Sequence, residues 1–400
     1  MKKISTLIAT LCFAATLIAQ PFLTASFDDQ ILINTKTAFQ NNDPIITQAV
    51  KELVESAERA MLIGPWSVTE KTIMPPSGDK RDYMTLAPFW WPDTTRPDGL
   101  PYIRRDGIRN PEVYNYPERE NMRRMSQAVL YLGLAYYYTG EQRFADRAAE
   151  FIRVWFLDPV LGMNPNLNFG QAIKGRNTGR GAGMIESRFI VEVVNGAMLM
   201  RGSSAWSNEK DQKMQTWVKD FLNWADTSRI GNEENRAMNN HGTYFEMQRV
   251  AFAIFTGQYD RGRNYIQNSA KRRIFHQQTE DGQMPLEQAR TMSLHYYTFN
   301  LGAMFQVAIM ADKLGIDFFN YVDEQGRSIK VYMDFITPYY IQEKEWQWPQ
   351  IRPFDFGRAA AILNTATEKL NNPKYAQAAK QIGVKPIWQV LLMGQYQTER

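Results

Sequence analysis

The sequence predicts an all-α protein built as an (α/α) toroid, an incomplete barrel of antiparallel helical hairpins with long loops covering a cleft. Apolar residues recur with a helical period along most of the chain. Short turns containing Gly, Asn or Asp join segments of similar length, and alternating patterns with Asn-Gly or Asp-Gly hairpins are nearly absent. No repeat consensus recurs at a fixed period, which argues against an ordinary tetratricopeptide array.

The helical period can be followed segment by segment. The predicted helices cover about 44–62, 118–138, 141–156, 183–201, 207–226, 238–256, 259–275, 292–314, 326–337, 355–369 and 373–381. Two long irregular stretches, 72–117 and 158–182, interrupt them. Loops of this length inside a compact domain are usually functional, so we expect both to form walls or lids of a site.

The first 25 residues, 1–25, have the composition of an export signal. Lys2 and Lys3 form a basic start, and a short apolar stretch follows. Cleavage is expected after Ala19 or Ala25. The segment is short for a membrane anchor, so no membrane span is expected after its removal.

The rest of the chain, 26–400, is predicted to be one domain. The single cysteine, Cys12, lies in the signal and follows Leu11, where a lipoprotein site needs a small residue. We therefore expect a periplasmic or secreted protein without disulfides. The formal charge of +4 falls to +2 without the two signal lysines, so the net charge says almost nothing about partners. No nucleic-acid partner is expected. The oligomeric state stays open.

A cluster of two carboxamides and an imidazole begins the predicted helix at 238–256. It consists of Asn239, Asn240 and His241 in "MNNHGTYFEMQ". One interpretation is a helix cap, since Asn is favoured at that position. The other is a site at which these groups offer hydrogen bonds to one anionic group.

A second cluster lies in "LEQARTMSLHYYTFN" at 286–300. Arg290 and Tyr297 are seven residues apart, which on one helix is two turns and the same face. His295 and Tyr296 crowd the same turn. Alone, this pattern also fits an ordinary packed helix.

Together the two clusters contain the groups needed for β-elimination at a uronic acid. The C5 proton of a uronate is weakly acidic, and the neighbouring carboxylate opposes carbanion formation. Donors such as Asn and Arg must neutralise that carboxylate while a base takes the proton and an acid protonates the O4 leaving group. His and Tyr suit these roles, and no cofactor or metal is required.

The chain resembles the alginate lyase family with the α/α toroid fold. "NNH" before a helix, the Arg and Tyr within the second cluster, and "APFWWPDTTRPDGLPYIRRDGIRNPE" at 87–112 contribute to the resemblance, which covers about 80–340. It implies an anionic polysaccharide substrate such as alginate, polymannuronate or glucuronan.

The resemblance also implies catalytic roles. Asn240 and His241 match the pair beside the substrate carboxylate and C5, and Arg290 matches the arginine that neutralises the carboxylate and lowers the tyrosine's pKa. Tyr297 matches the tyrosine that protonates O4 and, in some members, also takes the C5 proton. Tyr296 directly precedes it, so the choice between the two tyrosines stays open, as does the sugar.

Stereochemistry bears on these roles. In mannuronate and glucuronate the C5 proton and O4 lie on the same side, so one tyrosine can serve as base and acid. In guluronate they lie on opposite sides, and two groups are needed. The sequence favours the first case, with His241 as an alternative base or neutraliser.

Further substrate-binding residues are expected in the two loops and beside the clusters. Aromatic rings can stack on sugars, and Arg or Lys can bind carboxylates. The candidates are Trp90, Trp91, Tyr102, Arg104, Arg105, Lys174, Arg176, Arg180, Arg188, Asn239, His295 and Tyr296. A solvated basic loop and a packed Trp pair are the alternative interpretations.

Two other functions fit parts of the sequence. A glycoside hydrolase would need paired carboxylates, for which Asp281, Glu287 and Glu186 are candidates. A non-catalytic exported glycan-binding protein would explain the many aromatic residues. His276 is expected to be structural, and no His spacing typical of a metal site occurs.

Overall fold

The computed structural model describes residues 22–383 and 387–393, so most of the predicted signal lies outside the described residues. Sixteen α-helices occur in the described part: α1 Asp29–Gln40, α2 Pro44–Met61, α3 Glu118–Thr139, α4 Gln142–Ile152, α5 Phe189–Leu199, α6 Asn208–Thr227, α7 Arg229–Glu234, α8 Asn240–Phe255, α9 Tyr259–Tyr265, α10 Lys271–His276, α11 Pro285–Gln288, α12 Ser293–Lys313, α13 Ile329–Tyr340, α14 Gly357–Leu370, α15 Pro373–Ile382 and α16 Val390–Met393. Four short strands accompany them: β1 Met84–Leu86, β2 Trp90–Trp91, β3 Ile103–Arg104 and β4 Phe169–Ala172.

The helices form the predicted α/α toroid. Contacts run from α3 to α5, then to α8, α12 and α14, and these helices form the inner row. α4 packs on α3, α6 and α9 pack on α8, and α13 and α15 pack on α14. α16 contacts both α14 and α2, and α2 contacts α3, so the circuit returns to its start.

Local sequence explains where many helices begin and end. Asp43 accepts the backbone N–H groups of Ile45 and Ile46 at 3.0 Å, and Pro44 occupies the first position of α2. Gly140, with φ of 73°, ends α3 in the left-handed region. Such caps satisfy backbone groups that have no partner inside the helix.

All eleven predicted helical segments are present, with three changes that matter. The segment at 183–201 begins as a 3-10 helix, Gly181–Arg188, before α5, and the segment at 259–275 is divided by a π turn at Ile266–Ala270. α12 begins only at Ser293, after the separate short helix α11. The predicted segments do not include α1, α7, α11 or α16.

The two long irregular stretches are ordered and joined to each other. β1 from the first stretch pairs with β4 from the second in parallel, and β2 pairs with β3 in an antiparallel hairpin. The backbone N–H of Tyr102 donates to the carbonyl of Lys174 at 3.0 Å. The two stretches therefore form one cover beside the ends of α8 and α12. Over the described residues, every helix is too short or too polar to cross a bilayer.

Candidate active site

A cavity of about 650 Å³ lies between this cover and the first turns of α8 and α12. Both sequence clusters reach it: Asn239, Asn240, His241, Arg290 and Tyr296 line its wall. Residues 49 to 57 positions apart in the sequence are thereby brought together. The shared position of these residues was expected from their chemistry, whereas their individual roles remain predictions.

The start of α8 is capped by a distant carboxylate instead of by its own asparagines. Asn239 occupies the N-cap position, but its side chain makes no cap bond. Glu287 accepts the backbone N–H of Asn240 at 2.6 Å and its side-chain amide at 2.7 Å. Burial raises the pKa of Glu287, although the bonds from Asn240 oppose this shift. Asn239 is thereby left facing the cavity.

His241 is oriented by a second buried carboxylate. Its Nδ1 lies 2.8 Å from Oε1 of Glu234, whose side chain is only 4% exposed. Because a carboxylate accepts hydrogen bonds, Nδ1 carries the proton and Nε2 keeps a free lone pair. The pair gives His241 the tautomer that a general base needs.

Tyr296, and not Tyr297, faces the cavity. Because α12 begins at Ser293, Arg290 lies outside the helix and the seven-residue spacing to Tyr297 does not place the two side chains on one face. Tyr296 is in the first turn, and the Arg290 guanidinium carbon lies 3.6 Å from the centre of its ring. Burial raises the pKa of the Tyr296 phenol, and the charge of Arg290 opposes that rise.

The expectation that Tyr297 meets the substrate is wrong. Its side chain is fully buried, and its hydroxyl donates to the carbonyl of Gly282 at 2.7 Å. The ring packs against Phe335 and Trp346. Tyr297 is one helical step, about 100°, from Tyr296, and this rotation points it into the core.

His295 lies on the cavity wall beside Tyr296. Its Nδ1 is 3.0 Å from a guanidinium nitrogen of Arg358. Burial, and then the charges of Arg358 and Arg290, lower the pKa of His295 to about 4. His295 is therefore neutral near pH 7 and accepts a hydrogen bond from Arg358.

The cavity is strongly basic. Among the described residues that line it, seven are arginines and only Glu234 is acidic; the arginines are Arg104, Arg109, Arg119, Arg180, Arg188, Arg290 and Arg358. Arg109 and Arg188 have no carboxylate at ion-pair distance within the described part of the chain. Burial lowers the pKa of both guanidinium groups. Such a site favours an anionic ligand.

The cover contributes only some of its predicted residues. Trp90, Arg104, Arg180 and Arg188 line the cavity, as predicted for the two loops. Arg180 donates to the side-chain oxygen of Gln171 at 2.9 Å, which fixes its position in the wall.

The other predicted loop residues do not line the cavity but hold the cover together. Tyr102 donates to Glu112 at 2.6 Å, and Lys174 forms an ion pair with the same carboxylate. Trp91 donates to the carbonyl of Ile108 and lies against Arg105. Arg176 donates to the Tyr102 carbonyl at 2.9 Å, so the contacts of these five residues lie within the cover.

The carboxylates considered for hydrolysis do not form a pair in the cavity. Glu287 holds α8, and Glu186 accepts hydrogen bonds from Tyr83 and Thr85 in the core. Asp281 is in a turn, where it accepts from Thr279 at 2.6 Å. His276 is exposed and bonds to a backbone carbonyl of its own helix.

Several lining residues were missed from the sequence. Arg109 lies in the 87–112 stretch but was not selected there, and Arg119, Glu234 and Arg358 belong to no recognisable motif. Only the basic character of the 87–112 stretch could have indicated Arg109. In residues 22–383 and 387–393, no three His, Cys, Asp or Glu side chains are grouped so that they could hold a metal ion.

Comparison with known proteins gives consistent matches. The family described as alginate lyase matches residues 67–346. The structure of an alginate lyase from Bacteroides ovatus is similar with a TM-score of 0.89 and 38% identity, covering 94% of this chain and 100% of that one. Alginate lyase A1-III from Sphingomonas species A1 has a TM-score of 0.57 and 16% identity, covering 96% and 99%, and supports the fold alone. No curated protein matches the sequence.

Proposed function

This chain belongs to the alginate lyase family and is a polysaccharide lyase, and we propose that it cleaves 4-linked uronic-acid polymers by β-elimination. The observation that carries the proposal is the meeting of Asn239, Asn240, His241, Arg290 and Tyr296 in one basic cavity. The Bacteroides ovatus neighbour is described as an alginate lyase, which supports alginate as a substrate to test first.

Carboxylate neutralisation is the first requirement of the reaction. Arg109 and Arg188 lack acidic partners among the described residues, and Asn239 makes no cap bond. We assign these three side chains to the substrate carboxylate. Donors already in position stabilise the charge of the enediolate as it forms, without reorganising at the moment of reaction.

Proton transfer is the second requirement. Tyr296 is assigned as the acid that protonates O4 and, for mannuronate or glucuronate, also as the base at C5. The nearby Arg290 charge favours the phenolate, which a base needs. The Nδ1 of His241 is held by Glu234, and its free Nε2 supplies an alternative base for guluronate.

The substrate class is tested by ultraviolet absorbance during incubation with polymannuronate, polyguluronate, glucuronan and a glycosaminoglycan. Elimination creates a double bond conjugated to the carboxylate, which absorbs where the substrate does not. We expect a rise with polymannuronate or glucuronan. New reducing ends without added absorbance would contradict β-elimination.

The role of the carboxylate behind His241 is tested by Glu234→Gln. We expect kcat to fall about 100-fold on any polymer that needs His241 as base, because the tautomer is no longer held. Glu233→Gln is the matched control, since Glu233 accepts the Gly181 N–H and pairs with Arg229 outside the cavity. Equal activity of both variants would exclude the assignment.

Export also remains a proposal. The basic and apolar start of the sequence supports a periplasmic or secreted enzyme. Fractionation of cells that express the whole chain would test it, and retention of the full-length mass in the cytoplasm would contradict it.

A further inference from the structure

Asp106 of the cover contacts Arg290, the residue that lies over the candidate catalytic residue Tyr296. Its carboxylate accepts hydrogen bonds from Arg290, from Nη2 at 2.8 Å and from Nε at 3.0 Å. It also accepts the backbone N–H of Thr291 at 3.2 Å and the hydroxyl of Thr291 at 3.1 Å. We propose that Asp106 is a positioning residue that fixes Arg290 over Tyr296; the proposal rests on the proposed function.

The bonding pattern determines the orientation of the Arg290 side chain. Two different nitrogens of one guanidinium meet one carboxylate, and such a pair fixes the plane as well as the position of the group. In this plane the guanidinium carbon is 3.6 Å from the centre of the Tyr296 ring. Arg290 is therefore occupied by Asp106 on one side and by the tyrosine ring on the other.

The carboxylate is suited to this task because it stays charged. Burial opposes ionisation of Asp106, but the hydrogen bonds and charge of Arg290, the Thr291 N–H and Arg104 outweigh burial and hold its pKa well below the ordinary value. Its side chain is 18% exposed and that of Arg290 is 14% exposed, so solvent screens the pair only in part.

The backbone after Asp106 is shaped for the same contact. Gly107 has φ of 75°, and a Cβ at this position would lie 2.5 Å from the Thr291 hydroxyl oxygen. A larger residue would push the cover away from Thr291 and Arg290. The glycine thus allows the close approach on which the Asp106 contacts depend.

Asp106 acts on Tyr296 in two opposite ways, which makes the proposal testable. Its own negative charge raises the Tyr296 pKa, whereas the arginine that it holds lowers it. If Asp106 were only a charge, its removal would lower the Tyr296 pKa. If Asp106 positions Arg290, its removal lets Arg290 move off the ring and the pKa of Tyr296 rises.

Other groups near the phenol stay constant in this comparison. Burial is the largest influence on the phenol, and the charged or titratable groups around it are Arg290, Asp106, Glu287, Arg109 and His295. The compared proteins differ only at Asp106. A rise of the Tyr296 pKa on removal of this carboxylate, instead of a fall, therefore reports that Arg290 has moved.

The experiment measures Tyr296 ionisation without turnover. Phenolate absorbance is titrated in the full chain and in Asp106→Ala. The titration of the same protein carrying Tyr296→Phe is subtracted from each, which leaves the signal of Tyr296. We expect the Tyr296 pKa to rise in Asp106→Ala and to return toward the original value in Asp106→Glu, which keeps the carboxylate. An unchanged or lowered pKa in Asp106→Ala would overturn the proposal.

Kinetics provide the second measurement. We expect Asp106→Ala to lower kcat about 100-fold with little change in KM, as for a misplaced group that acts only in the transition state. Asp98→Asn is the control, since this exposed carboxylate of the same cover accepts only the Leu100 N–H among the residues that the structure describes. Thermal unfolding of each variant verifies folding. A rise in the Tyr296 pKa without any lyase activity in the original protein would refute the proposed function and leave the positioning intact.

Discussion

At the residue scale, adjacent tyrosines have opposite environments. Tyr296 lines the basic cavity, and Tyr297 is fully buried with its hydroxyl on the Gly282 carbonyl. The difference follows from one helical step at the start of α12. The two tyrosines are adjacent in the sequence, and their spacing from Arg290 alone does not tell which one faces the cavity.

We predict different effects for removing the two hydroxyls. Tyr296→Phe loses the acid of the proposed reaction, so product absorbance should fall by a factor of about 10³ or more, with melting temperature nearly unchanged. Tyr297→Phe leaves the acid in place but removes a buried hydrogen bond, at a cost of about 1 kcal/mol of stability. Initial rates of product absorbance measure the activity of both variants, and denaturant unfolding measures their stability. Loss of activity in Tyr297→Phe with normal stability would contradict the assignment.

The carboxylates behind the site illustrate a limit of residue patterns. Glu287 was considered as a hydrolytic acid, yet it caps α8 through Asn240. Glu234 and Asp106 were not singled out at all. Glu287 and Asp106 meet donors that are 47 and 184 residues away in the sequence, and no local pattern encodes those partners. Glu234 meets His241 only seven residues along the chain, where the end of α7 approaches the first turn of α8.

At the element scale, the helices followed from periodicity and caps because these depend on neighbouring residues. The packing of one helix against another depends on contacts between residues that are far apart in the sequence. α3 and α5 pack closely enough that Gly133 and Gly196 meet: a Cβ on Gly133 would lie 2.8 Å from the Gly196 Cα. This close approach of two helices depends on the absence of side chains at both positions.

We predict that Gly133→Ala destabilises the protein by about 1–3 kcal/mol, because the added methyl group has only backbone to displace. Gly302→Ala on α12 is the matched control. The nearest atom to its Cβ would be 3.9 Å away, so the substitution should be neutral or stabilise by up to about 1 kcal/mol through helix propensity. Denaturant unfolding of both variants tests the contrast, and equal stability would show that the helices can separate without cost.

At the scale of the whole molecule, the first described residues belong to the folded domain. The backbone N–H groups of Ala25 and Ser26 donate to the side-chain oxygen of Asn195 on α5, at 2.9 and 3.1 Å. Lys313 at the end of α12 donates to the Thr24 carbonyl at 2.7 Å. These contacts connect the start of the described chain to two inner helices.

Of the two expected cleavage positions, we therefore predict the one after Ala19. Cleavage after Ala25 would remove Thr24, which is fully buried, and would place a new charged amine beside Asn195. The mass of the exported protein shows after which residue the signal is cleaved. A chain beginning at Ser26 should be less stable by about 1–3 kcal/mol than one beginning at Gln20. Equal stability, or a mature mass that begins at Ser26, would refute the prediction.

The sequence by itself determined the helical toroid and the two clusters that line the cavity. Both depend on short-range information: the 3.6-residue period, the caps, and rare residue types such as Asn-Asn-His standing together. It also indicated a site for an acidic sugar polymer through its resemblance to a family.

Only the tertiary structure decided which side chains meet. Tyr296 faces Arg290 from the first turn of α12, and Asp106 of the cover holds that arginine. Glu287 bonds to Asn240 at the start of α8, and Glu234 at the end of α7 bonds to His241. Five residues predicted to bind substrate instead make their contacts within the cover: Trp91, Tyr102, Arg105, Lys174 and Arg176. The physical reason is that hydrogen bonds and burial depend on distances between remote segments, which are set by packing and not by the order of residues along the chain.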